Sequence, residues 1–198
     1  MSAPVVSATR LVWIPEDEPG IEDVRVSHDA GGVRFNAMVA RLWEGRPLRA
    51  SYELLCDSGW RVRELRLGAD SEATGLHTLN VLADGAGGWS DGAGRPIAAL
   101  HGCIDVDIML TPLTNTLPIR RLALSVGESR EISVVYISAP DFTARPFRQR
   151  YSRLDDAGGF QRYHYESLES GFTADLPVDD DGFVGDYPAI WRRVWPVR

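Results

Sequence analysis

The stretch His101–Leu124, HGCIDVDIMLTPLTNTLPIRRLAL, decides how the rest of the chain is read. From Ile104 to Leu110 apolar residues recur at every second position (Ile104, Val106, Ile108, Leu110), while Asp105 and Asp107 take the other face, which is the period of a strand. Thr111-Pro112 ends that strand. Thr114 and Asn115 then stand where a helix N-cap would be, and Pro118 falls in a first helical turn, where its missing N–H is not needed. Arg120 and Arg121 follow at once.

The period of two continues on both sides of this stretch. Thr9–Ile14, Ile21–His28 and Val33–Leu42 are short runs rich in Val, Ile, Leu and aromatics, separated by breaks such as PEDEPG and DAGG. Arg49–Cys56 and Trp60–Leu67 read as a hairpin across Asp57-Ser58-Gly59. In the second of these strands the apolar face changes sides between Trp60/Val62 and Leu65/Leu67, the mark of a bulge, an edge or a change of sheet. Leu76–Leu100 carries the Gly-rich turns DGAGG and SDGAG. Downstream, Arg130–Ile137, a long hairpin from Arg145–Leu154 to Phe160–Leu168, Phe172–Val178 and Phe183–Val194 complete about thirteen strand candidates, with at most one or two short helices. So many strands must curl, close or split to bury their edges.

At 198 residues the chain reads as one domain over 1–198, large enough to hide about 70% of its unfolded surface. A net charge of −7 argues against nucleic acid as a partner, because phosphate binding rests on clustered cations; every basic side chain besides His is Arg. The opening MSAPVVSATRLVWIPEDEPG has neither a basic n-region nor an apolar run of signal-peptide length, and no stretch approaches the roughly 20 apolar residues of a membrane span. The expectation is a cytoplasmic protein with no transmembrane segment, in which Cys56 and Cys103 are buried thiols. Oligomeric state is open.

His28, His77, His101 and His164 show no metal-binding spacing, and no GxSxG elbow is present. Asp105 and Asp107, two apart on a strand, place their carboxylates on one face about 7 Å apart. That suits a hydrolase acting on a glycoside or a lipid ester, the paired carboxyl groups of glycosidases standing about 5–9.5 Å apart. It equally suits a structural ion cluster with Arg120 or Arg121 folded back upon it, or ligand recognition. The hairpin 145–168 holds Arg145, Arg148, Arg150, Arg153 and Arg162 interleaved with Phe147, Tyr151, Tyr163 and Tyr165. This is either a positive, aromatic patch for a head group or a solvated face answering acidic residues across the strands.

The words GCIDVDI (102–108), TNTLPIRRL (114–122) and DYPAIWRRV (186–194) resemble the signatures of the family labelled "putative glycolipid-binding" over essentially the whole chain. The resemblance implies a mainly β fold, a spiral β-roll in which a long antiparallel sheet wraps around one α-helix, at about 114–123 here, as in the bacterial lipoprotein carriers. It implies a non-enzymatic lipid- or glycolipid-binding protein and no cofactor. Ligand contacts are then expected from Asp105, Asp107, Asn115, Arg120, Arg121, Arg148, Arg150, Tyr151, Tyr187 and Trp191, where the clasp-like stretch, the arginine-rich hairpin and the YPAIWRR segment approach one another.

Overall fold

The structure, a computed structural model, describes residues 8–196. Strands β1 (Ala8–Pro15), β2 (Gly20–Asp29), β3 (Gly32–Trp43), β4 (Arg46–Cys56), β5 (Val62–Ser71), β6 (Gly75–Ala83) and β7 (Trp89–Asp91) form an antiparallel meander. A second, curled sheet holds β8 (Asp105–Ile108), β9 (Ser129–Ile137), β10 (Ala144–Ala157), β11 (Phe160–Ser167) and β12 (Thr173–Val178), in the order β12-β11-β10-β9-β8. The last strand, β13 (Trp191–Trp195), returns to the first sheet and pairs with β1, making that sheet eight-stranded. The helix α1 (Thr116–Leu122) belongs to the connection between β8 and β9.

Local chemistry accounts for the meander. Glu44 and Gly45 join β3 to β4 with positive φ at both positions (51° and 74°), the turn whose twist matches paired strands, and the Glu18 carboxylate accepts both of their N–H groups at 2.8 and 2.7 Å. Gly32 opens β3 where a Cβ would stand 2.0 Å from the Cys56 carbonyl oxygen, so only glycine lets these strands meet. The face change anticipated in Trp60–Leu67 is a bulge. Leu55 pairs with Glu64 and Cys56 with Val62, leaving Arg63 as the extra residue, and Trp60, at φ 63°, stays in the turn before β5.

The mainly β fold around a single helix matches the expectation, with three differences in detail. The strands part into two sheets, and β8 runs parallel to β9, because the intervening chain crosses over through α1 before it returns. The helix begins at Thr116, after a 3₁₀ turn at Leu113–Asn115. Neither Thr114 nor Asn115 caps it; Thr111, three residues before Thr114, accepts the Leu113 N–H on its hydroxyl at 2.9 Å. Of the strand expected over Phe183–Val194 only its end is a strand, Pro188 and the positive φ of Ala189 (62°) having bent the chain before it.

Residues 110–119 of the connection lie buried between the sheets and carry polar groups that call for partners there. Toward the eight-stranded sheet, the Thr111 hydroxyl donates to Glu22 Oε2 (2.8 Å) while Tyr52 donates to Glu22 Oε1 (2.7 Å). Toward the five-stranded sheet, Tyr151 donates its hydroxyl to Asn115 Oδ1 at 2.7 Å. Asp105, wholly buried, receives Arg121 on both oxygens: Nε at 3.0 and 3.2 Å, Nη2 at 2.6 Å. Arg121 is therefore the helix arginine that closes the ion cluster, whereas Arg120 lays its guanidinium over the Trp60 ring, 4.9 Å from its centroid. Cys56 and Cys103 are free and buried, as expected.

Two outcomes follow from these burials. Arg121→Met leaves the Asp105 carboxylate buried without its cation and should lower unfolding free energy by about 3–5 kcal/mol in a denaturant titration, a loss that the double change with Asp105→Leu largely recovers. Burial without a cation raises Glu22 from 4.5 to about 8. The folded chain thus holds a proton that the unfolded chain has released between those values, so this contribution to stability is complete below about pH 4.5 and is lost as pH rises through 8. Glu22→Gln should accordingly flatten the fall of melting temperature between pH 6 and pH 9; an unchanged profile would show that Glu22 is not the group responsible.

Candidate functional site

Where the two sheets part beside the β8–α1 connection they leave a cavity of about 250 Å³. Three parts of the chain build its wall. The five-stranded sheet contributes Asp107, Ile108, Tyr136, Phe147, Tyr165 and Ser167; the connection contributes Met109, Thr111 and Asn115; the bends after β11 and before β13, with the first residue of β13, contribute Ser170, Phe172, Tyr187, Ile190 and Trp191. Register explains the sheet's share. Asp107 lies opposite Tyr136 in the parallel pair, and alternation along β10 turns Phe147, Gln149 and Tyr151 inward together.

The rings are ordered by one another. Tyr136 and Phe147 stack with centroids 4.8 Å apart at 25°, and Phe172 and Tyr187 stack at 6.3 Å and 17°. Tyr165 meets Phe172 and Tyr187 at 6.2 and 6.5 Å, with Tyr151 edge-on behind it at 5.4 Å. Trp191 is fully buried and held from the far side by Arg41, whose guanidinium sits 5.4 Å from its ring and 5.1 Å from Trp43 while donating to both Asp17 oxygens at 2.8 and 2.7 Å. Burial raises the pKa of Tyr136, Tyr165 and Tyr187 above the ordinary phenol value, so all three hydroxyls remain protonated at neutral pH.

Asp107 is the one carboxylate in this wall, which contains no Arg or His. Its Oδ1 accepts the Thr114 hydroxyl at 3.1 Å and its Oδ2 accepts Gln149 Nε2 at 2.6 Å. Burial pushes its pKa up, and the two neutral donors pull it back only in part. The other face of Gln149, its Oε1, is buried without a hydrogen-bond partner.

The ten residues singled out from the sequence fall into three groups. Asp107, Asn115, Tyr187 and Trp191 line the cavity, and Tyr151 stands just behind it, tied to Asn115. Asp105 and Arg121 form the buried pair outside its wall, and Arg120 covers Trp60. Arg148 and Arg150 lie on the outer side of β10, paired with Glu131 at 2.8 and 2.5 Å, Arg150 also with Glu166 at 3.3 Å. The hydrolase arrangement of Asp105 beside Asp107 in one site is thus not what the strand builds, since only Asp107 faces the cavity. Sequence reading passed over Gln149 and the buried Glu22. Both left a signal: Glu22 shares a strand face with Val24 and Val26, and Gln149 falls between Phe147 and Tyr151 on another. Phe172 left none, because the loop after β11 brings it in only in the folded chain, whereas Ile190 lies within the YPAIWRR segment already singled out.

Among the described residues no group of His, Cys, Asp and Glu is placed to hold a metal ion, and no helix is long and apolar enough to cross a membrane. A comparison with curated proteins finds no match. Among solved structures, the crystal structure of a DUF1089 family protein from Pseudomonas aeruginosa superposes with a TM-score of 0.79 at 40% sequence identity, covering 87% of this chain and 91% of that one. The family model described as "Putative glycolipid-binding" matches residues 10–193, nearly the whole described chain, and the protein therefore belongs to that family.

Proposed function

We propose that the cavity seats the head group of a lipid or glycolipid, and that the protein is a non-enzymatic carrier or sensor of such a molecule. The observation that carries this reading is the wall itself: five aromatic side chains besides Trp191 surround a single carboxylate with no catalytic partner beside it. Ring faces receive the C–H faces of a sugar, and the carboxylate accepts its hydroxyl protons. A volume of about 250 Å³ equals that of about eight liquid waters, room for one ring-sized group and not for a whole lipid. The remainder of the ligand lies outward across Met109 and Phe172, which line the cavity and are 43% and 42% exposed. Each methylene covered there contributes about 0.8 kcal/mol. The family's glycolipid-binding description supports the same reading.

Native mass spectrometry and solvent extraction of freshly purified protein should recover a bound lipid, and a panel of lipids and glycolipids should include ligands binding well below millimolar. Failure of both sinks the proposal. Phe172→Ser, at a ring already partly in solvent, should weaken the best ligand by about five- to thirtyfold, equivalent to about 1–2 kcal/mol of lost ring contact, while leaving the thermal midpoint nearly unchanged.

A further inference from the structure

From the same cavity, and resting on the binding role just proposed, we infer that the group seated against Asp107 is a protonated amine, as on an amino sugar. Charge is the first reason. Asp107 is the wall's one charged side chain; its hydrogen bonds come from the neutral Thr114 and Gln149, and among the described residues no arginine or histidine forms an ion pair with it. The contrast with its neighbour two residues earlier is direct, because Asp105, wholly buried where Asp107 keeps part of its surface open, has Arg121 on both oxygens. Partial burial pushes the Asp107 carboxyl toward its protonated form, so a cation beside it would stabilise the carboxylate, and among the described residues no arginine is placed to do so. The ligand is left to bring the positive charge.

The second reason is the surroundings. Tyr136, Phe147, Tyr165, Phe172, Tyr187 and Trp191 present rings around this one carboxylate, the combination that recognises organic ammonium groups, since the negative ring faces stabilise a cation that has shed its water. The stacked Tyr136–Phe147 pair already draws a cation within the protein: the Arg145 guanidinium lies 5.4 and 4.7 Å from their centroids, with its own charge answered by Glu169 at 2.8 Å. The third reason is hydrogen-bond polarity. In the wall the Asp107 oxygens are acceptors and call for a donor, and an ammonium carries three; Gln149, which donates to Asp107 from behind, adds no competing donor to the wall. An anionic head group, phosphate or carboxylate, meets no cation in the wall and is excluded.

Titration calorimetry at pH 6.5 with methyl glucoside, its 2-amino-2-deoxy counterpart and ethanolamine tests the inference. The amino glycoside should bind at least tenfold more tightly than the neutral one. In Asp107→Asn, where the Gln149 amide can turn to present its oxygen, the amino glycoside should lose more affinity than the neutral one, so that the difference vanishes. Equal affinities in the unaltered protein, a comparison that needs no variant, overturn the inference and leave the glycolipid reading standing, as does a preference that survives Asp107→Asn. Ethanolamine binding as tightly as the amino glycoside supports the ammonium and removes the sugar from the reading. Should no amine or glycoside bind at all, the ammonium is overturned, and the lipid panel decides the broader reading separately.

Discussion

Everything in this molecule depends on a short, polar piece of chain being buried between two sheets and finding partners there for Thr111, Thr114, Asn115 and Arg121, the Thr116 hydroxyl alone being buried among them without one. Residues 109–122 bring Thr111, Thr114, Asn115 and Arg121 into an interior that would otherwise be apolar. Each of them ties the connection to a different place: Thr111 to Glu22 and Tyr52 on one sheet, Asn115 to Tyr151 on the other, Thr114 to Asp107 and Arg121 to Asp105 on β8 itself. An unsatisfied buried group costs about 1–3 kcal/mol, so the four attachments specify position far more sharply than apolar contact could. The sheets do not meet directly here; they are spaced by this connection, and the cavity lies beside it.

The two aspartates of β8 show how environment divides chemically identical groups. Both leave the same strand, and both feel burial as a push toward the protonated form. Asp105 lies within reach of the last turn of α1 and is neutralised by Arg121, which makes it architecture. Asp107 lies two residues further on, opposite Tyr136 and beyond the helix, with hydroxyl and amide donors only. The missing cation at the second aspartate is the ground on which we propose it, and not the first, as a ligand contact.

Much of the architecture was legible in the sequence, because strand period, turn residues and face changes are local. The thirteen strands, the bulge signalled by the shift from Val62 to Leu65, and the single helix after Thr111-Pro112 all rest on spacing over fewer than ten residues. Local spacing states which face a residue occupies and not what covers that face. It could not choose between Arg120 and Arg121, whose partners are Trp60 in the turn before β5 and Asp105 on β8, nor see that Thr114 and Asn115 would be drawn away from capping by Asp107 and Tyr151. The arginines of β10 were conspicuous for the same reason: their abundance is local, whereas Glu131 and Glu166, which answer Arg148 and Arg150, come from neighbouring strands. The cavity was half visible, through Asp107, Asn115, Tyr187 and Trp191, and lacked the ring contributed by the loop after β11.

The pairing of β13 with β1 has a consequence for how the protein comes into being. Trp191 reaches the cavity from a strand that must find its partner among the earliest described residues, Pro15 lying opposite Trp191 and Val12 opposite Trp195. Contacts this distant along the chain are the slowest to form, since the longest loop must close first. A chain still emerging from the ribosome can fold the meander β1–β7 and much of the second sheet, yet it has no wall on the Tyr187–Trp191 side until synthesis has passed that point. The Tyr187–Trp191 side of the cavity is therefore completed only once β13 has been made, and β1 waits until then with one edge open.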